Sequence, residues 1–323
     1  MSDAPAYEGR VLRSTGSWYE VEVPDAPSEV PAVVRSRIRG KFRLDETDVT
    51  NPVAVGDRVT IDYNADDETG MIVDIHERRN RLSRRAAGRR VQQEHVMVAN
   101  VDRAWAVQAV QQPAMNTTFV DRFLVMAEMY HIPAGLVINK IDLADAEQQA
   151  QVEEVAARYR AIDYPVYCTS ATEDEGVDAW HEALRDNVNV VTGPSGAGKS
   201  SLINTIAPDL SIETKTISEQ TKKGRHTTTF AALHPLPEGG HIVDTPGVRE
   251  FGILDTHPAD LCHFFVEFVP YLDACKFDDC THDHEPGCAV KDAVDDGAIH
   301  PERYDSYLSI LYSLQDGMEG TGR

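Results

Sequence analysis

Apolar and polar positions change rhythm twice along this chain. Over residues 7–75 apolar side chains tend to alternate with polar ones in short runs. The runs are Tyr7–Leu12, Trp18–Val23, Ala32–Phe42, Asp57–Tyr63 and Gly70–Ile75, separated by turn formers such as Pro24-Asp25 and Asp66-Asp67. That pattern predicts strands. About five short strands suit a small barrel, with an OB-fold as first choice and an SH3-like barrel as second. From Arg78 to Arg90 no apolar period survives: seven of thirteen residues are arginine, and the stretch reads as a basic linker.

The second rhythm alternates strand and helix. Val96–Val110, Gly135–Asn139, Val166–Thr169, Asn187–Thr192 and His241–Asp244 read as apolar strands. Phe119–Met129, Ala144–Tyr159, Val177–Leu184 and Lys199–Ile206 read as helices. Such alternation predicts a mostly parallel sheet flanked by helices. Beyond residue 253 the pattern is helical and carries cysteines. The expected organisation is a barrel over 1–80, a basic linker over 81–95, an α/β domain over 96–253 and a mainly helical domain over 254–323.

Composition refines this picture in three ways. None of the 323 residues belongs to an apolar run of 18, so no transmembrane helix is expected. The start, Met1-Ser2-Asp3-Ala4-Pro5, lacks a basic stretch followed by an apolar one. A cytoplasmic, non-membrane protein is therefore expected. The net charge of −22 is uneven: about −1 over residues 1–90 and −21 over the rest, with 8 lysines against 23 arginines. An acid excess poor in lysine fits a high-salt cytoplasm; ordinary acidic drift fits as well.

Chemistry enters with Gly193-Pro194-Ser195-Gly196-Ala197-Gly198-Lys199-Ser200, which fits GxxxxGK[ST] between a predicted strand and helix. Glycines let backbone N–H groups wrap phosphates, and the helix start adds positive potential. Lys199 is expected on the β and γ phosphates and Ser200 on Mg²⁺. Asp244-Thr245-Pro246-Gly247 follows. Asp244 is expected to hold Mg²⁺ through water, and the Gly247 N–H to meet the γ-phosphate. Between them, Thr221-Lys222-Lys223-Gly224-Arg225-His226-Thr227-Thr228-Thr229 has the position of a switch loop, with Thr228 completing the Mg²⁺ shell. Val248 follows Gly247, where many GTPases carry a water-orienting glutamine. His226 is the candidate replacement.

Asn139-Lys140-Ile141-Asp142 and Thr169-Ser170-Ala171 complete the set. A carboxylate such as Asp142 accepts from both N1–H and N2–H of guanine, a donor pair adenine lacks. Lys140 is expected along the base, with Ser170 and Ala171 offering backbone N–H groups to guanine O6. These two motifs normally follow the phosphate loop, and here they precede it. A circularly permuted GTPase is the simplest explanation, since permutation is tolerated where the old termini lie close together.

Cys275, Cys280, His282 and Cys288 follow C-x4-C-x-H-x5-C, the donor set of a closed tetrahedral site for one structural Zn²⁺. His284 is an alternative ligand, and a disulfide reading is weaker in the cytosol. Cys168 and Cys262 read as buried packing. Arg35, Arg37, Arg39, Lys41 and Arg43 alternate along a predicted strand, so they share one face. Phosphate backbone is a natural partner. A solvated face paired with Glu20 and Glu22 is the other reading. Arg84 and Arg85 extend the basic surface.

Taken together, a barrel, NKID and TSA ahead of the phosphate loop, then GRHTTT, DTPG and the cysteine cluster closely resemble the ribosome small-subunit-dependent GTPase A family. The resemblance runs over roughly residues 7–315. It implies a multidomain chain with an N-terminal OB-fold β-barrel, a central α/β circularly permuted P-loop GTPase domain and a C-terminal mainly helical zinc-binding domain. It further implies a late assembly factor of the small ribosomal subunit, binding rRNA and GTP/GDP, with turnover stimulated by the subunit; a monomer is expected. The family's nucleotide positions carry over onto Asn139–Asp142 and Gly193–Ser201, its zinc ligands onto Cys275, Cys280, His282 and Cys288, and its catalytic histidine onto His226. The alternative is a GTP-regulated RNA-binding switch with vestigial hydrolysis.

Overall fold

The computed structural model describes residues 5–40, 51–85, 94–210, 231–244 and 256–321. In chain order its strands begin with β1 (Ala6–Ser14), β2 (Tyr19–Glu22), β3 (Val33–Ile38), β4 (Arg58–Asn64), β5 (Thr69–Ile75), β6 (Arg81–Arg85), β7 (Glu94–Ala99) and β8 (Arg103–Ala109). Then come α1 (Thr117–Met129), β9 (Ala134–Asn139), α2 (Ala146–Arg160), β10 (Val166–Thr169), α3 (Val177–Leu184), β11 (Val188–Thr192) and α4 (Lys199–Ile206). The chain closes with β12 (Ala232–Pro235), β13 (His241–Asp244), 3-10 turns at Pro258–Phe264 and Val269–Ala274, α5 (Ala289–Asp295) and α6 (Pro301–Thr321). Two compact units emerge, residues 1–105 with 177–250, and residues 106–176 with 251–323.

The first unit holds the barrel. Its strands run β1-β2-β3-β5-β4, and β4 returns to β1, so the sheet closes. Closure follows from alternation. Along β3 the side chains at Val34, Ser36 and Ile38 are buried and those at Val33, Arg35 and Arg37 exposed. Val11, Val21, Val34, Val59, Ile61 and Ile72 fill the interior. This is the OB-fold read from the strand spacing, although β3 ends at Ile38 rather than Phe42. Lys41 and Arg43 lie outside the described residues.

Two features correct the expected linker. Arg78 reaches back to the fully buried Asp57, with Nε 2.7 Å and Nη2 2.8 Å from its carboxylate oxygens. Residues 81–85, expected to be irregular, form β6 and pair antiparallel with β7. Gly56 belongs to the same junction. Its φ is +86°, and a Cβ there would lie 2.1 Å from the Ala99 carbonyl oxygen. Asn100, at φ 55°, breaks the single strand region expected over Val96–Val110 into β7 and β8. Its amide donates to Gly56 O and its Oδ1 accepts from Arg79 N.

In the same unit β11 and β13 run parallel, β12 pairs antiparallel with β13, and Ala232 of β12 pairs with Arg13 of β1. The sequence reading missed β12. Trp105 and Trp180 meet edge to face beneath, 6.3 Å between ring centres.

In the second unit β9 and β10 are parallel, with Asn139 opposite Thr169. Asn116 caps α1 by accepting from Phe119 N, and Asp145 with Gln148 forms a capping box on α2. The C-terminal segment joins this unit through an apolar core of Val125, Leu261, Phe265, Phe268, Tyr307 and Leu311. Within it lies a buried ionic network. Arg303 donates to Glu267 (2.6 and 3.1 Å) and to Asp121 (2.6 Å), and Tyr159 OH donates to the same Asp121 oxygen at 2.7 Å.

Candidate nucleotide and metal sites

In the first unit the phosphate loop leaves β11 as the sequence predicts. Gly193, Gly196 and Gly198 sit at φ 149°, 86° and 92°, where other side chains are strained. Gly198 opens α4, so Lys199, Ser200 and Ser201 lie on its first turn. Lys199 Nζ donates to the carbonyls of Gly193 (2.8 Å) and Pro194 (2.9 Å), folding back over the loop. Ala197 is buried beneath and Ser195 exposed. Because β11 and β13 are parallel, Thr192 and Asp244 end at the same edge of the sheet. This carboxyl edge is where open α/β sheets bind ligands. His226, Thr228 and Gly247 lie outside the described residues.

In the second unit NKID and TSA meet at the ends of β9 and β10. Thr169 Oγ1 donates to Asn139 Oδ1 at 3.2 Å. Lys140 adopts φ 63°, and its Nζ donates to Gln112 O at 2.7 Å. Partial burial lowers the Lys140 ammonium's pKa, against the raising effect of Asp142. Ser170 Oγ donates to Asp142 Oδ1 at 2.6 Å and accepts from Glu173 N at 3.1 Å. The Ser170 N–H is spent on Glu175 O at 2.9 Å, contrary to the expectation that it faces the base. Its hydroxyl instead fixes the carboxylate. Two contributors escaped the sequence reading: the Gln112 carbonyl and this hydroxyl. The hydroxyl was legible, since a serine in TSA carries one donor to spare.

The four predicted metal ligands come together. One donor atom from each of Cys275, Cys280, His282 and Cys288 lies within 4.8 Å of all the others. His282 Nδ1 stands 3.6 Å from Cys275 Sγ and 3.3 Å from Cys288 Sγ. Ligand atoms about 2.3 Å from a tetrahedral ion stand about 3.8 Å apart, so the cluster fits one metal ion. Burial lowers the His282 pKa, which favours the neutral imidazole a metal requires. Burial, with Cys288 beside it, pushes the Cys280 thiol up to about 12. Three adjacent thiolates therefore need a cation.

The surrounding contacts hold the loop. Tyr304 and Tyr307 of α6 donate to the carbonyls of His282 and Thr281, each at 2.7 Å. Glu285 accepts from Thr281 N, Thr281 Oγ1 and Asp283 N. Burial alone would raise the Glu285 pKa, but these hydrogen bonds bring it down to about 2. His284 points to solvent near Asp283 and lies outside the cluster. Cys168 and Cys262 also lie apart from it, and burial raises both thiols.

On the barrel, the guanidinium carbons of Arg35 and Arg37 lie 4.2 and 4.0 Å from the centre of the Trp18 ring. Cation–π attraction thus offsets their mutual repulsion. Arg39 stands 3.7 Å from Asp62. Of the two acids considered as partners, Glu20 pairs with Arg13 and Glu22 with His241. Arg84 and Arg85 lie on β6. Among the described residues no helix is long and apolar enough to cross a membrane.

Residues 75–254 match the RsgA GTPase family and residues 8–72 the RsgA N-terminal domain. The small ribosomal subunit biogenesis GTPase RsgA of Bacteroides fragilis is 41% identical over 310 residues, covering 96% of this chain and 98% of its own. Its counterpart in Gemmatimonas aurantiaca is 42% identical over 307 residues, covering 95% and 97%. The crystal structure of YjeQ from Thermotoga maritima matches with a TM-score of 0.79 at 33% identity, over 99% of this chain and all of that one. YloQ, described as a circularly permuted GTPase, matches at 0.77 and 30% identity over 97% and 96%.

Proposed function

From the premise that the chain belongs to the RsgA GTPase family, we propose that it acts in late maturation of the small ribosomal subunit, with turnover stimulated by that subunit. It is a GTP-hydrolysing enzyme with an OB-fold barrel, a circularly permuted GTPase domain and a C-terminal Cys/His cluster. The observation that carries the guanine reading is the 2.6 Å hydrogen bond from Ser170 to Asp142. It leaves Asp142 oriented by a fixed donor before a base arrives, which reduces the cost of ordering on binding.

In this reading Asn139, Lys140, Asp142 and Ala171 hold the base, and Ser170 holds the Asp142 carboxylate. Gly193 to Ser201 and Gly247 hold the phosphates. Ser200, Thr228 and Asp244 hold Mg²⁺, which supplies charge neutralisation at the phosphates. His226 orients the attacking water, because Val248 has no side-chain acceptor. Cys275, Cys280, His282 and Cys288 hold a structural zinc with no position left for water. Arg35, Arg37, Arg39, Lys41, Arg43, Arg84 and Arg85 meet rRNA phosphates. The protein works in the cytoplasm as a monomer.

The test is GTP turnover with and without small ribosomal subunits, for wild type and His226→Ala. Stimulation in wild type, lost in the variant with GTP binding intact, is expected. Subunit binding without any stimulation would support an RNA-binding switch with vestigial hydrolysis instead. Stimulation that survives within about twofold in His226→Ala, under roughly 0.5 kcal/mol of barrier, removes that histidine from the role.

A further inference from the structure

His241 opens β13, three residues before Asp244, and lies outside every nucleotide motif. It is 9% exposed, and both of its ring nitrogens face the barrel. Nδ1 lies 3.3 Å from Arg10 Nη1, and Nε2 lies 2.9 Å from Glu22 Oε2. Arg10 and Glu22 are cross-strand neighbours on β1 and β2. A guanidinium only donates, so Nδ1 must accept and the neutral ring carries its proton on Nε2, facing the carboxylate. That N–H does not aim along the Nε2–Glu22 line, so the contact is a close electrostatic one and not a linear hydrogen bond. The His241 N–H held 2.9 Å away keeps the Glu22 carboxyl below its ordinary range, against the raising effect of burial, and burial lowers the Arg10 guanidinium.

The main chain at His241 is bound equally firmly to the other phosphate strand. Its N–H donates to Asn187 O at 2.7 Å, and its carbonyl accepts from Asn189 Nδ2 at 3.2 Å. His241 pairs with Val188, the first residue of β11, whose far end opens the phosphate loop. By contrast, among the described residues the strand pairing between barrel and β12 is one residue pair, Arg13 with Ala232. On the barrel side, β2 lies between β1 and β3, with Glu20 opposite Arg35.

We infer that Arg10 and Glu22 grip His241 as a bridge through which the barrel sets the strand carrying Asp244, so that His241 is a positioning residue for GTP hydrolysis. A load on the arginine face of β3 passes to β2, through Glu22 to the imidazole, and along β13 to its carboxyl end. Interior strands transmit such displacements because they are close-packed and nearly incompressible. The inference rests on the proposed role of Asp244 at the phosphates but needs no ribosomal partner.

The experiment compares wild type, His241→Phe, His241→Gln and Glu22→Ala. Glutamine can accept from Arg10 and donate to Glu22, whereas phenylalanine fills the space and does neither. Intrinsic GTPase kinetics and amide hydrogen exchange of residues 6–22, with GDP and with a non-hydrolysable GTP analogue, are measured on each protein after its thermal melt. In wild type the analogue should change exchange of those barrel residues at least about twofold relative to GDP. In His241→Phe and Glu22→Ala that difference should vanish, and kcat should fall about tenfold with KM held within about twofold. His241→Gln should restore both. Loss of folding in His241→Phe leaves the decision to Glu22→Ala, whose side chain is partly exposed. A wild type with no nucleotide-dependent exchange in the barrel overturns the bridge. So does a folded Glu22→Ala that keeps wild-type exchange and kcat, or a His241→Gln no better than phenylalanine. Adding small subunits is a separate arm. Absence of stimulation there sinks the ribosomal reading and leaves the bridge to be judged on its own result.

Discussion

Replacing Arg303 by methionine should be among the most destabilising single changes in the second unit. Arg303 is 1% exposed, and the side chains of its partners Asp121 and Glu267 are 2% and 5% exposed. Burial alone would lower the guanidinium's pKa, but the two carboxylates reverse that and hold it above its ordinary value. Its plane also lies over Phe265, 4.7 Å from the ring centre. Methionine keeps most of the packing and removes all of the charge. Two carboxylates then remain buried, one with only Tyr159 OH and one with no donor from this network. Breaking such a network from one side costs about 3–5 kcal/mol. With a urea dependence of about 2 kcal/mol/M, the unfolding midpoint should fall by roughly 2 M.

Far-UV circular dichroism follows this unit, because α1, α2, α5 and α6 all belong to it. The three tryptophans, Trp18, Trp105 and Trp180, all belong to the other, so their fluorescence is an internal reference. If the loss is electrostatic, adding Asp121→Asn and Glu267→Gln to Arg303→Met should recover much of it. A midpoint shift below about 0.5 M refutes the reasoning. So does a triple variant no more stable than Arg303→Met, because the cost would then lie in packing.

Three other outcomes are expected. Asp142→Asn should reduce the preference for GTP over xanthosine triphosphate by roughly 100-fold in a competition titration, and an unchanged ratio removes Asp142 from base recognition. Chelation, or Cys280→Ala, should release one metal ion per chain and lower the midpoint seen by circular dichroism, while a well-folded protein containing well under one ion per chain contradicts the assignment. Because His241 depresses the Glu22 carboxyl below its ordinary 4.5, its contribution is fully present above that pH and fades as pH falls further. Tryptophan-monitored stability should therefore drop more steeply below pH 4.5 in wild type than in Glu22→Gln, and parallel curves would show that Glu22 carries no such linkage.

The parts of this molecule legible in its sequence are those fixed by local chemistry. Val177–Leu184 and Val166–Thr169 have the bounds their apolar periods suggest, and the phosphate loop takes positive φ at the glycines that announce it. The cysteine cluster assembles because its spacing alone brings four donors to one loop and the start of one helix. What the sequence hides is long-range pairing. The segment Ala232–Pro235 contains His234 and Pro235 and gives no strand signal. It is a strand because β13 and β1 supply partners on either side. Arg78 looks like one of seven arginines in a linker, yet its partner Asp57 lies 21 residues back in a buried turn. Glu22 looks like a counterion for the arginines of the neighbouring strand. Alternation puts it on a different task, because the imidazole of residue 241 comes within 2.9 Å of its carboxylate. Arg35 and Arg37 need no acid between them, since Trp18, from the turn before β2, supplies a ring to both. In each case the misreading has one physical origin: a group's partner is whatever the fold brings beside it, and distance along the chain says little about which that is.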